Sequence, residues 1–166
     1  MNNAATLIGI DPGSRGVIAH LSVSGRLLDV YKMPMREMPL ASRAGGVVRR
    51  VNGTELRALF ARLKPSYAVL EQVCGMSGDT PMTAFGFGYN YGLVEDAIAD
   101  AGIPVILAPP AVWKGDMKLS ADKGLSKPRA WRLFPHGRDL LTSVDKAEAA
   151  LIGLWGMLSG RTPALL

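Results

Sequence analysis

In the first part of the chain, apolar residues come in short runs closed by turn residues. Leu7, Ile8 and Ile10 form a buried-strand run over residues 6–10, which stops at the turn residues Asp11-Pro12-Gly13-Ser14. Residues 16–23 alternate well enough for a second strand, Ser24-Gly25 makes another turn, and Leu27-Leu28-Asp29-Val30-Tyr31 supplies a third strand. Together they predict an antiparallel meander over 6–33. Residues 34–52 set Pro34, Pro39, Gly45 and Gly46 among Arg36, Arg43, Arg49 and Arg50. That composition reads as a long basic loop, of a length usually kept for function.

The period then lengthens. Leu56, Leu59, Phe60 and Leu63 fall on one helical face, with Thr54 as the expected N-cap and Pro65 as the stop. Tyr67 to Glu71 is strand four. After a loop at 75–78, a helix is expected over 82–101, with Pro81 at its first position and Gly102 closing it. Residues 103–108 form strand five, stopped by Pro109-Pro110, and 111–125 read as a loop carrying Lys114, Lys118 and Lys123. Ser126 is the expected cap of a short helix to Phe134, ended by Pro135-His136-Gly137. Ser143 caps a last helix over about 144–159. Three antiparallel strands, then helix–strand twice, then helices, predict an α/β layered fold in one domain over 1–166.

Composition narrows the class. The chain has 166 residues, 48% hydrophobic and 20% charged, as in an ordinary globular domain. The longest apolar stretch, Ala149 to Leu158, is interrupted by Gly153 and Gly156 and is too short for a membrane span. Met1-Asn2-Asn3-Ala4 lacks a secretory signature. The single cysteine, Cys74, forms no internal disulfide, fits a reducing cytoplasm and reads as a small core residue. A net charge of +5, from 19 Lys and Arg against 14 Asp and Glu, suits a polyanionic partner such as nucleic acid.

Candidate chemistry lies where apolar runs meet carboxylates. Asp11 follows strand one, Glu71 ends strand four, and Asp145 and Glu148, three apart on one face, begin the last helix. Taken singly, they read as a turn residue, a solvent-facing strand end, and a dipole-and-capping pair worth ~0.3–1 kcal/mol. Taken together, they are carboxylates beside buried elements, which are costly unless something pairs with them. Ligands of open α/β sheets gather at the carboxyl ends of strands. Four acids with no imidazole or thiol make a hard oxygen site suited to Mg²⁺ or Mn²⁺. Two such ions about 3.5–4 Å apart activate a water and stabilise the leaving oxygen of a phosphodiester.

Three segments carry a family likeness: Ile8-Gly9-Ile10-Asp11-Pro12-Gly13, then Val69-Leu70-Glu71-Gln72-Val73, then Asp145-Lys146-Ala147-Glu148-Ala149-Ala150. In this order they resemble the RuvC-like Holliday-junction resolvases of the RNase H superfamily. Ala84-Phe85-Gly86-Phe87-Gly88, Gly102-Ile103-Pro104-Val105, Trp113-Lys114, Asp122-Lys123 and Leu133-Phe134-Pro135 extend the likeness, especially to phage-type members, over about residues 6–156. The first motif alone is shared with sugar-kinase and actin-like ATPases; the ordered set is specific.

The resemblance implies an RNase H-like fold, with a five-stranded mixed sheet flanked by helices. It also implies a Mg²⁺-dependent endonuclease with two ions, Mn²⁺ substituting, acting as a homodimer in the cytoplasm of a bacterial or phage-infected cell. Paired incisions in branched DNA such as four-way junctions would leave 5′-phosphate and 3′-hydroxyl ends; whether flaps and forks are also cut stays open. Asp11, Glu71, Asp145 and Glu148 match the metal-binding catalytic acids, with Glu148 standing where the family commonly has Asp. Lys114, Lys123 and Lys127 match its basic positions, with Lys123 or Lys127 expected nearest the chemistry. Lys118 and Arg129 are expected to hold the DNA backbone.

Phe85, Phe87, Tyr89 and Tyr91 read either as core aromatics at a helix start or as a wedge that stacks on unpaired bases. Trp113 and Trp131 read as packing residues, and His20 and His136 as incidental. Leu93, Val94 and Ile98 mark a candidate dimer surface. Arg36, Arg43, Arg49 and Arg50 read as a DNA-ordered arm or a polar loop. Other readings are a related nuclease acting on structured RNA and a non-catalytic branched-DNA-binding module. An actin-like phosphotransferase needs two such domains.

Overall fold

The computed structural model describes residues 5–13, 15–40, 45–73, 78–119 and 123–166, the side chain of Lys123 excepted. In chain order the elements begin with strands β1 (Thr6–Asp11), β2 (Val17–Ser22), β3 (Leu27–Lys32), β4 (Met35–Pro39) and β5 (Val47–Val51). Helix α1 (Gly53–Leu63), strand β6 (Tyr67–Glu71), helix α2 (Pro81–Asp100) and strand β7 (Val105–Ala108) follow. Helices α3 (Pro110–Asp116), α4 (Ser126–Leu133) and α5 (Val144–Leu158) complete the chain.

The main sheet has five strands in the order β3-β2-β1-β6-β7. β1 runs antiparallel to β2 and parallel to β6, so the sheet is mixed, as expected. β1 and β6 are buried on both faces, which is why they read as nearly continuous apolar runs. Successive side chains of a strand point to opposite faces. Ile8, Ile10, Ala68 and Leu70 therefore join Leu56, Phe60, Val94 and Ile98 beneath α1 and α2. Leu7 and Val69 face the other way, into a core with Trp113, Ala149, Ile152 and Trp155.

Helix α5 lies almost directly on β1. A β-carbon at Gly9 would stand 2.2 Å from the Ala149 carbonyl oxygen and 2.5 Å from the Gly153 nitrogen. Ser143 starts this helix as expected, its side chain accepting from the Lys146 N–H. Thr80 and Pro81 start α2, Thr80 accepting from the Thr83 N–H.

Several local expectations need correction. The basic stretch 34–52 holds the β4–β5 ribbon, paired from Met35–Val51 to Pro39–Val47. Its valines supply β-propensity, and Pro39 sits at the ribbon end, where a missing N–H breaks no interior ladder. Val51 N–H donates to Asn90 Oδ1 at 3.1 Å, tying the ribbon to α2. Within 111–125 stands α3; Pro109-Pro110 ends β7 and opens that helix, since proline suits a first turn. Helix α1 is capped by Asn52, not Thr54: Asn52 Oδ1 accepts from the Glu55 N–H at 3.3 Å. Ser126 does not cap α4, because its hydroxyl is engaged elsewhere.

Val94 and Ile98 are buried in the protein's own core and Leu93 is half-buried, so Val94 and Ile98 form no dimer surface. Among the described residues, no helix is long and apolar enough to cross a membrane. Ser14, Arg43, Cys74 and Asp122 lie outside the described residues.

Candidate active site

Parity and register bring the acids together. Ile10 pairs with Leu70 across the parallel β1–β6 ladder, so Asp11 and Glu71 emerge next to each other at the carboxyl ends of the central strands. Both follow the odd positions that face α5. Asp145 lies in the first turn of α5 and Glu148 one turn on, in the buried part of the helix rather than in its first turn. Asp11, Glu71 and Glu148 are 7–8% exposed.

These side chains share one electrostatic field. The Asp11 carboxyl is pushed from 3.8 up to about 7, first by burial. The Gly13 N–H, which donates to Asp11 Oδ1 at 2.9 Å, pulls the other way. The charges of Glu71, Glu148 and Asp145 raise it further. The same field reaches α2: the Tyr91 phenol is pushed up to about 12 by burial, then by Glu95, and then by Glu71.

Each acid has a protein partner. Trp113 Nε1 donates to Glu71 Oε1 at 3.0 Å from a fully buried indole. Ser126 Oγ donates to Glu148 Oε1 at 2.9 Å, and Lys114 Nζ stands 3.6 Å from the same oxygen. Arg15 Nε meets Asp145 Oδ2 at 3.1 Å, although the arginine side chain is 78% exposed. Among the described residues, no three His, Cys, Asp or Glu side chains are grouped tightly enough to hold a metal ion as they stand. The donor chemistry nevertheless fits a hard divalent ion: the four acids are oxygen donors, three are buried, and they repel one another.

The basic positions spread more widely than expected. Among the described side chains, Lys114 is the lysine within ion-pair reach of one of the four acids. Lys127 Nζ donates to the Thr142 carbonyl at 3.1 Å and lies 4.8 Å from the Trp131 ring. The Lys123 side chain lies outside what the structure describes. Lys118 is exposed on a left-handed backbone (φ 56°), and Arg129 is half-buried near the start of α4.

Phe85 is 64% and Tyr89 42% exposed, so these two are not core aromatics, while Phe87 and Tyr91 are half-buried. Arg50 of β5 lies over both exposed rings, 5.7 Å from Phe85 and 4.7 Å from Tyr89. Arg15 and Ser126 were absent from the expected site. No local pattern announces Arg15, and Ser126 looks like an ordinary cap. Trp113 stood in the Trp113-Lys114 pair but read only as packing.

Five strands in this order, with acids gathered at the carboxyl ends of the central pair, define an RNase H-like domain of nuclease type. No family model matches the chain. It is similar to the crossover junction endodeoxyribonuclease RuvC of Anaeromyxobacter sp. (strain K), 32% identical over 156 residues, 89% of this chain and 80% of that protein. RuvC of Anaeromyxobacter dehalogenans (strain 2CP-C) is 35% identical over 109 residues, 63% of this chain and 55% of that protein. The fold is similar to T. thermophilus RuvC in complex with a Holliday junction substrate, with a TM-score of 0.68 and 20% identity. That match covers 98% of this chain and 99% of the other. A second Thermus thermophilus RuvC structure gives a TM-score of 0.64 at 21% identity, covering 97% and 99%. The chain belongs to the RuvC family of crossover junction endodeoxyribonucleases.

Proposed function

We propose that the protein is a divalent-metal-dependent endodeoxyribonuclease that resolves four-way DNA junctions by paired phosphodiester hydrolysis, leaving 5′-phosphate and 3′-hydroxyl ends. The observation that carries this reading is the common field of Asp11, Glu71, Asp145 and Glu148 at the strand ends of a RuvC-family chain. These four would hold Mg²⁺, or Mn²⁺ in its place, as two ions. When bound, such ions lower the pKa of a water and neutralise charge on a phosphate.

The chain's own residues orient and receive. Trp113 holds Glu71, and Ser126 holds Glu148. Lys114 stands at the edge of the acids as a counter-charge for an incoming phosphate. Lys118, Lys123, Lys127 and Arg129 contribute phosphate contacts, and Phe85 and Phe87, with the exposed Tyr89, meet unpaired bases at the branch point. Two copies of the chain would supply the two incisions, in the cytoplasm of a bacterial or phage-infected cell. A purely binding module is disfavoured, since buried carboxylates repel phosphate and serve no binding purpose.

The test is incubation of wild type and Asp11→Asn with four-way, flap and linear duplex DNA and with structured RNA, in Mg²⁺. Paired nicks in the four-way junction by wild type alone are expected. Equal binding by both proteins with no incision would reduce the chain to a binding module. Cuts in RNA but not DNA would move it to the RNA-directed relative.

A further inference from the structure

A second basic surface adjoins the acids at Asp145, in the first turn of α5. It is a groove of about 460 Å³, floored by Met33 and walled by Arg15, Lys32, Arg49 and Lys146. These cations come from four separate parts of the chain: the β1–β2 turn, the end of β3, the β5 strand of the ribbon, and the first turns of α5. Asp145 is the one acid in the described lining, and Arg15 already neutralises it. Lys146 is steadied by a 3.0 Å bond from Nζ to Thr142 Oγ1. A concave surface with four cations and no unpaired acid has the charge and size for a few atoms of polyanion backbone, within the ~300–1,000 Å³ usual for ligand clefts.

We propose that this groove seats the sugar-phosphate backbone of the cut strand immediately beyond the scissile phosphate, and that Arg15 exchanges its ion pair with Asp145 for a phosphate of that strand. The inference rests on the DNA-cleaving reading and deepens it. Arg15 is suited to the exchange because its guanidinium reaches the edge of the acids while most of its side chain stays in solvent. A guanidinium also engages phosphate with two donors at once. In DNA-free protein, the same arginine occupies an oxygen that a divalent ion requires. Arg15 is therefore a positioning residue, coupling the filling of the groove to the release of Asp145.

Two measurements test this. The first is junction binding against NaCl concentration in the Asp11→Asn background, with and without Lys32→Ala/Arg49→Ala/Lys146→Ala. Each lost phosphate contact lowers the salt slope by about 1, so the triple variant is expected to lower it by ~2–3 and to bind at least ~10-fold more weakly near physiological salt. The second is Mn²⁺ binding by calorimetry on DNA-free full-length protein. Arg15→Ala is expected to bind Mn²⁺ more tightly and junction DNA more weakly, with an unchanged melting temperature. An unaltered salt slope in the triple variant, while wild type still cuts junctions, overturns the groove and leaves the nuclease standing. Unaltered Mn²⁺ affinity in Arg15→Ala overturns the exchange. A wild type that binds no branched DNA removes the proposed function and this inference together.

Discussion

Trp113 and Glu71 hold each other across the floor of the acidic cluster: the indole, fully buried, gives its single N–H to Oε1 at 3.0 Å. The residue that fills the core beside β7 thereby also aims an acid. Trp113→Phe keeps most of the volume and removes the donor. A hydrogen bond to a charged group contributes about 1.5–3 kcal/mol, and loss of a partner behind a metal ligand costs about 10–100-fold in metal affinity or activity. We expect a folded protein whose cleavage requires more Mg²⁺, with the rate restored in part at high metal concentration. A metal titration of single-turnover cleavage reads this; an unchanged Mg²⁺ midpoint would rule out an aiming role for Trp113.

The approach of α5 to β1 leaves no room for a side chain at Gly9. The added carbon of Gly9→Ala would meet backbone atoms of Ala149 and Gly153 at 2.2–2.5 Å, and backbone cannot rotate away as a side chain can. Overpacking of this kind costs typically ~1–3 kcal/mol and more where backbone must shift. The expected outcome is a loss of at least ~3 kcal/mol in urea unfolding, or no folded protein at all. A melting curve matching wild type would contradict the packing described.

Asp11 supplies a pH prediction. Its carboxyl pKa is raised in the folded protein above its unfolded value, so its stabilising contribution is complete below about pH 4 and is lost as pH rises through about 7. In chelator, Asp11→Asn is expected to match wild type at pH 4 and to melt several degrees higher at pH 8. Each kcal/mol corresponds to about 2–4 °C at this chain length. Added Mn²⁺ should stabilise wild type at pH 8 and leave the variant unmoved. Scanning calorimetry at the two pH values decides it, and no gap at pH 8 would mean that Asp11 carries no burden of burial.

Phe85 and Tyr89 present a separable surface. Because both are exposed, Phe85→Ala and Tyr89→Ala are expected to change stability by no more than about 0.5 kcal/mol. Base–aromatic stacking contributes about 1–3 kcal/mol per base. Junction binding should therefore weaken by ~5–150-fold, while linear duplex binding, which offers no unpaired base, stays as it was. Equal losses on both substrates would assign the rings to general packing against Arg50.

The sheet and the acids were legible in the sequence because each central strand is an apolar run that ends on a carboxylate, and the strand pattern has a fixed period. Reading Glu71 as a strand-end acid and Asp145 with Glu148 as one helical face required only counting. The ribbon at β4 and β5 was hidden by composition: four arginines, two prolines and two glycines within 34–52 outweighed Val47, Val48 and Val51, whose pairing is non-local. The partners of the acids were hidden for another reason. Ser126 opens α4, so in the sequence it looks like a cap, and its true acceptor is 22 residues away. Arg15 and Asp145 are far apart in the chain, and neither has a local signal that names the other.

The two-residue repeat of β1 and β6 has a consequence for how this chain can change. Substituting Ile8 for another aliphatic residue alters packing, whereas inserting one residue between Thr6 and Asp11 reverses every side chain that follows it within the strand. The backbone ladder survives such an insertion, yet the terminal carboxylate then points into the layer beneath α1 and α2, among isoleucines and leucines. Gly9 apart, length more than identity is what these two segments are bound to keep, and a deletion scan along them should kill activity at every odd step and spare some at even ones.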